Sequence, residues 1–178
     1  MSQWHSLGPF TVFDLETTGC SQYRDRIVEI AAVRAELDGS LSRFSALVNP
    51  GIPVPSQATK VHGITDEMLK DSPKFHDVAY KFMEFAQGSK LVAHNARFDL
   101  SFLQESLFRN GLPLWKGGSY DSIVLTRKAY PGLQSYSLQF LRVHFGLDDE
   151  GQANRAASDA EWTMQIFSMA MKRLFETC

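Results

Sequence analysis

Disulfide chemistry is excluded first. The 178 residues hold two cysteines, Cys20 and Cys178, near opposite ends of the chain. They make neither a disulfide framework nor a zinc-ligand spacing, and they suit a reducing compartment, so a cytoplasmic protein is expected. Long apolar runs are missing too: none approaches the roughly 18 residues of a membrane span. Met1 to His5 lacks the basic and apolar regions of a signal peptide, so neither membrane insertion nor export is expected. Low-complexity tracts, internal repeats and Ser/Gly linkers are absent, which predicts one domain over residues 1–178. An excess of one charge is lacking as well. Lys and Arg number 18 against 20 Asp and Glu, a net charge of −2. A broad basic surface that coats DNA is thereby excluded. If the chain handles nucleic acid, its positive charge must be local or must come from metal ions. What is present is core material: 44% apolar and 21% charged residues exclude a disordered chain.

Strand signals fill the first third. Phe10–Phe13 is a β-branched and aromatic run, Arg26–Val33 a second strand, and Asp38-Gly39 a hairpin turn leading into a third strand over Ser42–Val48. The turn predicts antiparallel pairing of strands two and three, and Asn49-Pro50-Gly51 ends the segment. Farther on, Val78, Phe82 and Phe85 recur at helical spacing within 77–86, and Leu91–Ala93 is a short buried strand. Phe98, Phe102 and Leu103 share a face of a helix over 98–108 that ends at Asn110-Gly111. Leu138, Leu141 and Phe145 mark a helix over 137–145, with Tyr136 and Ser137 as its cap. The last helix spans 156–174, with Ala160, Thr163, Ile166, Phe167 and Ala170 inward. The order predicts an α/β protein with a mixed sheet and helices on its faces.

Three acidic stretches carry the chemistry. Phe13-Asp14-Leu15-Glu16-Thr17-Thr18-Gly19 ends the first strand, and residues two apart on a strand share a side, so Asp14 and Glu16 are neighbours. Paired carboxylates repel, and a hard divalent cation between them removes the conflict. Taken alone, D-x-E equally fits a strand end with solvated acids. Thr17-Thr18-Gly19 adds hydroxyls, amides and a flexible glycine beside the acids. His94-Asn95-Ala96-Arg97-Phe98-Asp99 follows the short strand and opens a helix; Asn95 as N-cap and Asp99 as a dipole partner is the structural alternative. Asn154-Arg155-Ala156-Ala157-Ser158-Asp159 places Asp159 at the start of the last helix, on a face of small residues. An acid there is costly to bury unless paired or metal-bound.

Together these stretches resemble the DEDD superfamily of 3′→5′ exonucleases. They are most similar to its DnaQ-like (DEDDh-type) group, which includes the proofreading epsilon subunit of bacterial replicative DNA polymerase. Val61-His62-Gly63-Ile64-Thr65 and Tyr120-Asp121-Ser122 match further stretches of that family. The resemblance implies a ribonuclease H-like fold with a central five-stranded mixed sheet flanked by helices. It implies two Mg²⁺ or Mn²⁺ ions: Asp14 bridging both, Glu16 and Asp159 completing the first site, Asp99 holding the second. The implied activity is release of nucleoside 5′-monophosphates from DNA 3′ ends, single-stranded or frayed. Implied substrate contacts are Leu15, Thr17, Thr18, His62, Asn95 and Phe98, although Phe98 fits core packing equally well. An exoribonuclease of the same fold is an open alternative. A DNA polymerase is an implied partner. From the short stretch after the last helix, the expectation is a free-standing nuclease or one that docks through its surface; a domain cut from a longer polymerase is the further alternative, against which Met1 argues.

One position departs from the pattern. The group carries a general-base histidine five residues before the last aspartate, and that position is Asn154. Asn has no titratable group. The tyrosine that serves the sister group would stand at 155, which is Arg. Three readings follow: an active but slower enzyme that relies on metal-lowered water pKa, an engineered substrate trap, or a nucleic-acid-binding module with impaired cleavage. Four retained acids weigh against the third.

Overall fold

The computed structural model describes residues 3–147 and 155–176. Among them there is one five-stranded sheet, in the order β3-β2-β1-β4-β5. Strand β1 (Phe10–Thr17) is central. It pairs antiparallel with β2 (Ile27–Ala35) and parallel with β4 (Lys90–Ala93). The Asp38-Gly39 turn joins β2 to β3 (Leu41–Leu47), and these two are antiparallel as the turn signal predicts. Strand β5 (Ser119–Asp121) adds to β4 in parallel.

Seven helices accompany the sheet among the described residues: α1 (Ser56–His62), α2 (Asp66–Leu69), α3 (Phe75–Phe85), α4 (Ala96–Arg109), α5 (Ser122–Ala129), α6 (Leu138–His144) and α7 (Ala156–Phe175). None is long and apolar enough to cross a membrane. Cys20 is exposed and unbonded; Cys178 lies outside the described residues.

Strand periodicity divides the core into two layers. Phe13 and Leu15 of β1 point to the layer that holds Phe82 of α3 and Phe102, Leu103 and Leu107 of α4. Phe10 and Val12 point the other way, against Ala156, Ala160, Met164 and Phe167 of α7. Asp14 and Glu16 are in step with Phe10 and Val12, so both acids face α7. The small residues at the start of α7 let it lie close over β1 and β2, which brings its first turn to those acids. Helix α4 belongs to the opposite layer, and its first turn reaches the end of β1.

Candidate active site

Asp14, Glu16 and Asp159 converge. One ligand oxygen from each lies within 4.8 Å of the others. The period-2 backbone of β1 supplies two of them and the first turn of α7 the third. Asp99 arrives from the other layer, buried on the first turn of α4, where its carboxylate accepts the Leu15 N–H at 3.1 Å. The four acids therefore surround one short piece of β1.

Their electrostatics follow from that crowding. Burial pushes the Asp14 carboxyl well above the ordinary range, and Asp99, Asp159, Glu16 and Glu29 push it further. Glu16 is pushed up to about 8 by burial first, then by Asp159, Glu29 and Asp99, while Arg155 opposes the shift. Asp99 is also raised, chiefly by burial; the Leu15 amide works against this, and Asp121 and Asp159 add to it. Carboxylates that resist ionising together form a site whose missing member is positive charge.

Sequence reasoning missed the residue that fixes α7. Glu29 of β2 stands directly across from Glu16 and is only 2% exposed. It receives two bonds from Arg155, from Nη2 at 2.8 Å and Nε at 3.1 Å, and a third from the Ala156 N–H at 3.1 Å. A buried carboxylate thus occupies the N-terminus of α7, where free N–H groups and the helix dipole favour negative charge. It ties Asp159 to the sheet through that helix. The available signal was an acid inside the otherwise apolar run 27–33, since a buried charge demands a partner.

The remaining candidates take particular places. Thr17 hydroxyl donates to the Gly19 carbonyl at 2.6 Å, and the Thr18 side chain accepts the Arg26 N–H at 3.0 Å. Gly19 is required for room: a Cβ there would come within 2.5 Å of the Asp25 carboxylate. His62 is buried. Its Nδ1 accepts the Ile64 N–H at 3.0 Å, so its Nε2 donates to the Thr17 carbonyl at 3.2 Å. Burial holds its pKa below the usual histidine value. Phe98 is half-buried, tilted against Phe102 with ring centroids 4.9 Å apart, and packs on the core.

The capping alternative for Asn95 does not hold. The residue occupies the N-cap position of α4, but its side chain makes no capping bond and its backbone is left-handed, φ 67°. Asp121 does the capping instead. One oxygen accepts the Ala96 N–H at 3.0 Å, and the other accepts Ile123 N–H at 2.8 Å at the start of α5. The carboxylate reaches both helices because β5 lies beside β4. Ser137 caps α6 as expected, accepting the Phe140 N–H. His94 spends both ring nitrogens on Ser122 Oγ and the Tyr136 carbonyl, each at 2.8 Å. Asn154 lies outside the described residues.

Comparison with known proteins agrees with this arrangement. The chain is 38% identical over 166 residues to the DNA polymerase III subunit epsilon of Treponema pallidum (strain Nichols), covering 92% of this chain and 77% of that protein. It is 40% identical over 169 residues to the PolC-type DNA polymerase III of Caldanaerobacter subterraneus subsp. tengcongensis, covering 95% of this chain but 12% of that protein. The chain thus spans about an eighth of the PolC-type relatives it matches. A solved exonuclease X, in complex with 5′-overhanging duplex DNA, aligns with TM-score 0.70 and 29% identity over 95% of this chain and 94% of that one. A solved exonuclease I aligns with TM-score 0.79 at 19% identity, over 92% of this chain and 40% of that one, a likeness of fold. The sheet and its helices are of the ribonuclease H-like type. The exonuclease family model (RNase_T) matches residues 11–167, and the chain belongs to that exonuclease family.

Proposed function

We propose that the chain, a single domain over residues 1–178, is a divalent-metal-dependent 3′→5′ exonuclease. It acts on DNA 3′ ends, single-stranded or frayed, and releases nucleoside 5′-monophosphates. The observation that carries this reading is the meeting of Asp14, Glu16 and Asp159 within 4.8 Å, with the Asp14 and Glu16 carboxyls held above their ordinary pKa range by burial and then by the neighbouring acids.

The donor set fits the group. It offers carboxylate oxygens only, which suit Mg²⁺ or Mn²⁺ rather than a softer metal. Asp14, Glu16 and Asp159 would hold one ion, and Asp99 with Asp14 a second. When bound, such ions supply Lewis acidity that activates water and neutralises the departing 3′-oxygen. The chain's own residues position the rest. Leu15, Thr17, Thr18 and Asn95 border the acids and would meet the terminal nucleotide. His62 would act on it through the Thr17 carbonyl it holds, and the half-exposed Phe98 ring, next to Asp99, would pack on its base or sugar. Asn95, exposed at the mouth of α4, is free to hydrogen-bond substrate because Asp121 has taken over the cap.

Asn154 cannot accept the proton of the attacking water. This favours a second reading, a nucleic-acid-binding module with impaired cleavage. Rejection of a 2′-OH would separate a DNA enzyme from an exoribonuclease of the same fold. The names of the relatives support a DNA polymerase as partner. The sparse cysteines support a cytoplasmic setting. The test is mononucleotide release from 5′-labelled single-stranded DNA and RNA with Mg²⁺ or Mn²⁺, beside an Asn154→His variant. Cleavage by the parent chain, and its loss in Asp14→Ala, is the expected result. No cleavage by the parent and rescue by the histidine would make the binding module the better description.

A further inference from the structure

Four acids at one end of β1 repel a polyanion, and the chain as a whole carries a net charge of −2. The structure collects positive charge beside them, in the loop from Gly19 to Arg26 and the last turn of α4. Arg109, in that turn, donates to the Gln22 carbonyl at 2.8 Å and the Tyr23 carbonyl at 3.1 Å. Arg26 donates back to the carbonyls of Arg24 at 2.8 Å and Asp25 at 3.0 Å. At its base the loop is closed by the Thr18 N–H on the Arg26 carbonyl at 2.8 Å. It is therefore a braced arm that starts at the acids and is fastened to the far end of α4.

Two large rings sit on this arm and its anchor with little to cover them. Tyr23 is 70% exposed and Phe108 is 71% exposed. Arg109 ties the Tyr23 carbonyl to the turn that carries Phe108. Arg26 of the arm and Arg109 of its anchor also line, with Lys74, a cavity of about 250 Å³. The charges here are Arg24, Arg26, Lys74 and Arg109 against Asp25 and Glu105, an excess of two positive in a net-negative chain. Burial, and then the neighbouring Arg26 guanidinium, hold Arg109 below its ordinary pKa. An anion in the cavity would offset the repulsion between the two guanidinium groups.

We propose that this surface is a stacking platform for single-stranded nucleic acid. It would grip the strand several nucleotides upstream of the end held at Asp14, Glu16, Asp99 and Asp159. The proposal rests on the nuclease reading above. Exposed aromatic faces interleaved with arginines accept any base by stacking and any phosphate by charge, so the grip carries no sequence preference. The spacing suits it. Asp99 and Arg109 are ten residues apart on one helix, about 15 Å at 1.5 Å per residue. That is the length of about four stacked nucleotides at 3.4 Å each.

The test compares the full chain with Tyr23→Ala/Phe108→Ala and with the ring-preserving Tyr23→Phe/Phe108→Tyr. Three substrates are used: dT12, dT2 and thymidine 5′-(p-nitrophenyl) phosphate, each with Mg²⁺, beside fluorescence anisotropy of labelled dT12. The double alanine variant is expected to raise KM and Kd for dT12 about tenfold. It leaves kcat, dT2 and the nitrophenyl ester unchanged, and the ring-preserving variant behaves as the parent. Unchanged dT12 binding in the alanine variant overturns the platform, and so does equal loss on the ester and on dT12. If the parent cleaves none of the three substrates, the nuclease reading fails, and anisotropy with dT12 still decides the platform.

Discussion

Glu16 and Glu29 are opposite one another across β1 and β2, both turned toward α7, and the molecule treats them in opposite ways. Glu29 is neutralised from within: Arg155 and the start of α7 close around it. Glu16 is left among acids and is held near pKa 8. The same strand pair, one residue across, thus contains a completed ion pair and an uncompensated one. The completed pair fixes a helix; the uncompensated one leaves charge for a cation. What separates them is a single guanidinium that can reach only one of the two.

Removing Asp14, which all the other acids crowd, has the largest expected effect. Asp14→Ala should abolish Mg²⁺-dependent release of mononucleotides while the fold persists, since the change relieves repulsion between buried acids. Cleavage that survives it would dismiss the acid cluster as the site. Next, Asn154→His should raise kcat by about 10²–10⁴-fold, the usual worth of a positioned general base. A rate equal to the parent's would mean that the water needs no protein base.

Arg155→Ala attacks the completed pair. It should cost about 3–5 kcal/mol in chemical denaturation, because Glu29 would stay buried and unneutralised. It should also weaken Mn²⁺ binding about 10–100-fold, measured by calorimetry, as the support behind Asp159 loosens. Glu29→Met combined with Arg155→Met should recover much of the stability but not the Mn²⁺ affinity. Recovery of both would reduce the pair to packing.

The smallest effect is on pH dependence. Glu16 has a folded pKa near 8 against an ordinary value of 4.5. The folded protein then holds a proton that the unfolded chain gives up across that interval, so metal-free stability falls as pH rises from about 4.5 to about 8. Thermal denaturation with chelator should show that decline. Added Mn²⁺ should raise Tm more at pH 8 than at pH 5, and an equal increase at both would argue against the cation replacing the proton.

Much of this was legible in the sequence because it was written in local periodicity. Alternation along 10–17 put Asp14 and Glu16 on one face, and the small residues at 156 and 160 announced a close helix. Helix α5 escaped notice because its buried face is Ser122, Thr126 and Ala129, the right spacing with no apolar signal. Helix α1 buries only His62, so it too lacks a stripe. Asp121 was visible as a motif, yet its second bond, to Ala96, depends on β5 lying beside β4. The Glu29–Arg155 pair joins residues 126 apart, and no window along the chain contains both. The capping alternative for Asn95 failed for a related reason: a side-chain cap is a local inference, and a carboxylate from a distant strand takes its place.

The separation of the acids has a consequence during synthesis. Asp14 and Glu16 emerge from the ribosome before Asp159, which stands on a helix that cannot form until residues 156–175 have been made. Chains grow from the N-terminus, at about 5–20 residues per second. For most of that time two carboxylates wait without the third, and the strand pair beneath them has Glu29 without Arg155. A growing chain therefore carries an incomplete acid cluster. The docking of one late helix completes the ion pair and the acid cluster together.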